Sequence, residues 1–197
     1  MQQDRDIDLV VVGICSGPMG VHGEIRIRSF TDNPRRFIAG NTVIIKETPR
    51  QIERAAEQIK KSKQPLIISG GGVLYSEAET ELSEFAKKHN IPVTPTVMGI
   101  GCMDRDDPYY IGAIGCLGEG SSNSLSKDTD MALAVGTKLG DFTTGSWSNF
   151  HNPDFQLVSI NTARFDVTKH RATPVISDAK IGLKQLSDVL GNWKAPD

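Results

Sequence analysis

From residue 49 onward the chain alternates between two hydrophobic periods. Ile52, Ala55, Ala56 and Ile59 recur at helical spacing while Arg50, Glu53, Arg54, Glu57 and Lys60 occupy most of the other positions, which predicts an amphipathic helix. Pro65, Leu66, Ile67, Ile68 and Ser69 then form a short, largely apolar run that ends in Gly70, Gly71 and Gly72, as expected of a strand buried on both faces. A second helical pattern covers about 76–89, starting near Ser76 or Glu77, with Leu82, Phe85 and Ala86 facing inward. Short apolar strands follow at 91–94, 131–136, 155–161 and 173–177. A helix is predicted at 122–127, and Asp178 can cap a last one running to about Leu190. Buried strands alternating with helices predict an α/β fold, an open parallel (Rossmann-like) sheet with helices on both faces.

Residues 8–45 carry a β pattern instead. Leu9, Val10, Val11 and Val12 form a buried-type run, residues 24–30 alternate polar and apolar, and residues 42–45 offer a third strand. Glycine and proline over 16–23 predict a tight connection between the first two. Three short strands cannot cover both faces of a sheet, so this piece reads as a short antiparallel β segment, part of a barrel. The period changes at 46–50, which divides the chain into 1–48 and 49–197.

Composition narrows the functional classes. With 38% hydrophobic and 23% charged residues and a net charge of -2, the 197-residue chain reads as soluble, with no basic excess to attract nucleic acid or anionic lipid. Cys15, Cys102 and Cys116 show no C-x-x-C spacing, so neither a disulfide framework nor a zinc site is expected, and a cytoplasmic setting fits. No apolar run near the start is long enough for a signal core or a membrane span.

Two glycine-rich turns sit where open parallel sheets gather ligands. Gly70, Gly71 and Gly72 offer backbone N–H groups to an anion, but Tyr75 stands where a G-x-G-x-x-G pattern needs its last glycine, and a tight packing turn is the competing explanation. After the strand at 131–136, Gly136, Lys138 and Asp141 offer a second place, with Lys138 for a phosphate and Asp141 for a ribose hydroxyl, or simply a solvated loop. His22, His89, His151 and His170 lack metal-ligand spacing and read as surface or turn residues. Asp104, Asp106 and Asp107 beside Pro108 read as turn residues. Residues 118–124 read as a flexible loop. Ser146 stands outside a hydrolase elbow, and no nucleophile–base pair is defined.

Four stretches in order carry a resemblance: 64–76 (QPLIISGGGVLYS), 112–115 (GAIG), 135–146 (VGTKLGDFTTGS) and 159–166 (SINTARFD). Together they resemble the central domain of thiamine-diphosphate enzymes, nearest to the trihydroxycyclohexane-dione hydrolases of inositol catabolism, over about 49–193. In that family the cofactor is held between two other domains, one giving a glutamate and the other the diphosphate and magnesium ligands. The Gly-Asp-Gly motif of the magnesium-binding domain has no counterpart here. The resemblance implies a supporting domain with no cofactor of its own, FAD or ADP being the ligands some relatives bind, and thiamine diphosphate and magnesium belonging to the intact enzyme. Residues 12–37 are similar to the start of the ribosome maturation factor RimM, whose N-terminal β-barrel docks on a small-subunit ribosomal protein; the likeness stops near Lys46. Arg26, Arg28, Arg35 and Arg36 are either remnants of that docking face or a solvated strand edge. The two resemblances imply a non-catalytic chimera that acts in assembly, self-associates through exposed apolar surface, or acts as a RimM-like module.

Overall fold

Five of the apolar runs become one parallel sheet. Its strands are β3 (Pro65–Ser69), β4 (Val93–Pro95), β5 (Met131–Val135), β6 (Gln156–Asn161) and β7 (Thr173–Ile176), in the spatial order β4-β3-β5-β6-β7. β5 is central, and Leu133 stands level with Ile67 on one side and Val158 on the other. The sequence is apolar on both sides of the central strands because both faces are covered. Ile67, Leu133, Val135, Val158 and Ile160 face one layer, built from helices α1 (Pro49–Lys61), α3 (Glu79–His89) and α7 (Ala179–Leu190). Leu66, Ile68, Ala132, Ala134 and Leu157 face the other, where Ile114, Leu139, Trp147, Phe150 and Phe155 pack on them. The chain on that side is more loop than helix, and includes α4 (Gly120–Asp128) and the single turn α5 (Asp141–Thr144). The same α/β unit also holds the short helices α2 (Gly71–Tyr75) and α6 (Arg164–Val167) and 3-10 turns at Val97–Gly99 and Lys169–Arg171.

In this computed structural model the described residues are 13–19, 24–29, 34–37 and 49–196. The strands expected at 9–12 and 42–45 lie outside them. By its internal contacts the chain divides into units 1–46 and 47–197. In the first unit, β1 (Gly13–Met19) pairs antiparallel with β2 (Glu24–Ser29), and a 3-10 turn covers Pro34–Phe37. The connection expected from residue 16 is therefore corrected, since Pro18 pairs with Ile25 and Met19 with Glu24. A register shift between Cys15 and Gly17 absorbs Ser16 as a bulge. Proline is tolerated at a strand edge, where its missing N–H breaks no ladder bond.

In the second unit the helix expected over 76–89 is split. The chain turns into α2 directly from Gly70, and Glu77, at φ 49°, reverses it before α3 begins at Glu79. The backbone N–H of Ala78 reaches the Val73 carbonyl at 3.0 Å, a local turn closure that helical periodicity does not encode. Residues 118–124 are corrected as well, since α4 begins inside them, at Gly120. Ser122 Oγ donates to the Ala113 carbonyl, and Asn123 clasps Gly115 by accepting from its N–H and donating to its carbonyl, both at 2.9 Å. Polar side chains here hold a helix against a neighbouring segment. The cap on α7 is as expected, with Asp178 Oδ1 accepting from the backbone of Lys180 (2.9 Å) and Ile181 (3.3 Å).

His89 differs from its expected surface or turn place. It is fully buried, its ring centroid 4.6 Å from that of Phe85, with Nδ1 2.8 Å from the Trp193 carbonyl and Nε2 3.1 Å from Ser187 Oγ. A carbonyl can only accept, so Nδ1 carries the proton and Nε2 accepts from the serine hydroxyl. Burial pushes the pKa of His89 down, against the Trp193 carbonyl, which favours the proton, and with Lys88, which opposes it. A histidine held neutral contributes stability that is complete above the unfolded pKa of about 6.5 and is lost as pH falls below it. Urea midpoints should therefore drop between about pH 7 and pH 5, and His89→Gln should flatten that drop; parallel profiles for the two proteins would refute the assignment.

Candidate functional site

The strand order reverses beside β3, because the path from β3 leads to β4 on one side and the later strands extend from β5 on the other. Ligands of open α/β sheets bind at the carboxyl ends of strands at such a switch point. Here the carboxyl ends of β3 and β5 carry the two glycine-rich turns. The structure brings Gly70, Gly72 and Gly136 into backbone contact. Gly70 N–H donates to the Val135 carbonyl at 2.8 Å and Gly72 N–H to the Gly136 carbonyl at 3.0 Å. A Cβ on Gly70 would fall 2.4 Å from the Gly136 oxygen, and one on Gly72 or Gly136 would fall 2.6 Å from the other's Cα. Gly136 also has φ 61°, a left-handed conformation that favours glycine. These three glycines let two strand-end turns lie against each other. Gly71 sits at their edge, where a Cβ would stand 3.1 Å from the Met98 carbonyl.

The other two sequence candidates lie further along the β5 turn. Lys138 and Asp141 are both exposed, and Asp141 opens the four-residue α5. Neither belongs to an ion pair among the described residues. Between them Leu139 turns inward at φ 50° and is buried. Asn161, at the end of β6 and within the fourth motif, ties the turn after β5 to its own strand end. Its Nδ2 donates to the Thr137 carbonyl at 3.2 Å and its Oδ1 accepts from Ala163 N–H at 2.9 Å. Beside this turn the rings of Trp147 and His170 pack at a tilt of 52° with centroids 4.3 Å apart, both residues at positive φ. Burial, then Lys169, push the His170 pKa down, and Asp141 opposes them. A ring contact across two loops leaves no periodic signal in sequence.

The residues here do not fit a magnesium-bridged diphosphate. Two N–H groups of the first turn are engaged by carbonyls, and the helices that start at these strand ends, α2, α5 and α6, are one turn each. Among the described residues no three His, Cys, Asp or Glu side chains are grouped to hold a metal ion. Asp104 and Asp107 make turns, accepting from the N–H groups of Asp106 and Tyr109 at 3.0 Å, and Asp107 also receives Ser83 and Lys87. Cys102 is buried against Ser69, with Sγ and Oγ 3.0 Å apart, whereas Cys116 is exposed. No helix among the described residues is long and apolar enough to cross a membrane.

Sheet order, switch point and glycine-packed strand ends define a doubly wound α/β domain of the Rossmann-like kind. The chain belongs to the family of the thiamine pyrophosphate enzyme central domain, whose model matches residues 52–186. Relatives named 3D-(3,5/4)-trihydroxycyclohexane-1,2-dione hydrolase include one from Clostridium tetani, 41% identical over 176 residues, which are 88% of this chain and 27% of the relative. Another, from Clostridium botulinum, is 45% identical over 132 residues, 67% of this chain and 20% of the relative. One from Clostridium perfringens is 39% identical over 140 residues, 71% and 22%. The chain thus spans about a fifth to a quarter of the length of these relatives. The RimM N-terminal domain model matches residues 10–78, beyond the Lys46 limit expected from sequence. Where the two family models overlap, at 52–78, the chain forms most of α1, then β3 and α2, with β3 in parallel pairing.

Proposed function

We propose that this chain is a non-catalytic, chimeric protein built on the central domain of a thiamine-diphosphate-dependent hydrolase of inositol catabolism, with a structural and assembly role in the cytoplasm. The observation that supports it most is the use of the Gly70 and Gly72 N–H groups on the Val135 and Gly136 carbonyls. A turn in which two of the three glycine N–H groups are already engaged is suited to joining two strand ends more than to holding the charge of a reacting group. On this proposal thiamine diphosphate and magnesium act only in an intact enzyme, where other domains supply their ligands. The purified chain, given thiamine diphosphate, magnesium and the cyclic dione, should show no ring opening above background. Turnover that scales with protein concentration would overturn the proposal.

Ligand contact at Gly70, Gly71, Gly72, Gly136, Lys138 and Asp141 makes a separate expectation. ADP or FAD at millimolar concentration would raise the melting temperature by mass action, and an unchanged melting temperature with no calorimetric heat removes that role. A second function is favoured by the match of residues 10–78 to the RimM N-terminal domain, a binding module for a small-subunit ribosomal protein. Arg26 and Arg28, within β2, with Arg35 and Arg36, within the following 3-10 turn, are the residues proposed for docking. Pull-down of purified small-subunit proteins tests it, and retention unaffected by replacing these arginines with serine would count against it.

A further inference from the structure

Beyond α7 the chain stays on the α/β unit. Gly191, at φ 62°, closes the helix by donating to the Ser187 carbonyl at 3.0 Å, and residues 191–196 then run on with no helix or strand of their own. They lie as a strap against the end of α3. Ala195 N–H donates to the His89 carbonyl at 2.8 Å, and Asn90 Nδ2 donates to the Ala195 carbonyl at 3.3 Å. Ala195 and, less completely, Trp193 pack on the cluster that holds Phe85 and Leu190. A segment with no ladder or helical bonds is held by a few contacts, and those few decide whether it stays.

One of those contacts can be changed by a proton. Lys88 Nζ donates to Ser187 Oγ at 2.9 Å, the Ser187 hydroxyl donates to His89 Nε2, and His89 Nδ1–H donates to the Trp193 carbonyl at 2.8 Å. The chain of bonds closes only on a neutral imidazole. A proton on Nε2 would turn that nitrogen from acceptor to donor and leave the serine proton without its acceptor.

The elements that meet the ring carry Glu84, Lys87 and Lys88 late in α3, Lys184 and Asp188 in α7, and Lys194 in the strap. Lys87 is paired with Asp107 at 2.9 Å and Lys184 with Glu81 at 3.0 Å, while Glu84 and Asp188 border, with Lys88, an open cleft of about 230 Å³. No carboxylate bonds to the imidazole, whose ring nitrogens meet the Trp193 carbonyl and the Ser187 hydroxyl, and the charge that acts on it is the Lys88 cation. An imidazolium there would be buried beside a like charge with no counter-ion. We propose that His89 is a proton-operated latch: neutral, it ties residues 191–196 to the end of α3, and protonated, it releases them so that the imidazolium reaches water. Acidification then uncovers Trp193, Ala195 and the apolar surface they cover while the sheet stays folded. The latch needs no ligand and no partner, so it goes beyond the supporting-domain proposal and does not depend on it.

Amide hydrogen exchange of the full chain, followed by NMR and corrected for the intrinsic rate, tests it. An open form that binds the proton with the ordinary histidine pKa of about 6.5, against a closed form that excludes it, raises the opening equilibrium about tenfold between about pH 7.5 and about pH 5.5. The expected result is a fall of about that size in the protection of the Ala195 amide, unaffected by dilute urea, with Leu133 in β5 far better protected at both pH values. Global unfolding takes up the same proton, so insensitivity to urea is what marks the opening as local. His89→Gln should abolish the change at Ala195, and if that variant does not fold, the unsubstituted chain decides alone. Equal protection of Ala195 at the two pH values would overturn the proposal. So would protection that matches Leu133 in size and urea dependence, or a folded His89→Gln chain that keeps the pH effect.

Discussion

Gly136→Ala is expected to destabilise the α/β unit by about 3 kcal/mol, from roughly 1–2 kcal/mol for a left-handed alanine and ~1–3 kcal/mol for overpacking. Its φ is 61°, and its new Cβ would stand 2.6 Å from the Cα of Gly72, where backbone rather than a movable side chain must give way. The displacement would also stretch the bond from Gly72 N–H to the Gly136 carbonyl and leave that donor unsatisfied. Gly140→Ala in the same turn is the control. Its Cβ would meet nothing within 4 Å and its φ is -74°, so its effect should stay within about 0.5 kcal/mol. Urea unfolding of both variants decides the matter. Equal midpoints would mean that the contact between the two turns is not a rigid part of the fold.

Phe85→Ala should cost more, about 4 kcal/mol, in the range of roughly 3–5 kcal/mol measured for truncating buried aromatic side chains. Phe85 lies on the inward face of α3, 2% exposed, within the cluster that joins α1, α3 and α7 to the sheet. Its ring also packs on that of His89, so the cavity would open beside a histidine held neutral by burial. Two residues in contact are not expected to act additively. A double-mutant cycle of Phe85→Ala with His89→Gln should therefore show coupling, and the pH-dependent loss assigned to His89 should shrink in Phe85→Ala. Additive effects with an unchanged pH profile would show that the ring does not keep water from the imidazole.

Much of the second unit was legible in sequence because its signals are local. Ile52, Ala55, Ala56 and Ile59 mark the buried face of α1, and all four are buried. The run from Leu66 to Ile68 shows a strand covered on both sides, and Asp178 marks the start of α7. Glycine and proline were less dependable as punctuation, since in β1 a bulge and an edge position absorb them, whereas after Gly70 the turn into α2 is immediate. The break at Glu77 between α2 and α3 depends on a bond from Ala78 to Val73 that competes with helix continuation, and periodicity cannot weigh that competition.

The sequence by itself determined the α/β class, the succession of buried strands and helices, and the places where two glycine-rich turns would stand, because each follows from side-chain period or from backbone freedom within a few residues. Four ordered motifs also pointed to the thiamine pyrophosphate enzyme central domain, which the family match over 52–186 bears out. Only the tertiary structure decided what the glycines at 70, 72 and 136 face. A missing Cβ permits equally the approach of a phosphate and the approach of another backbone, and the choice is made by a turn that is distant in sequence but adjacent across a strand spacing. The same holds for His89, whose burial depends on Phe85, Ser187 and Trp193, and for Tyr75, Phe142 and Phe165, apolar in sequence but turned to water by the turns that carry them.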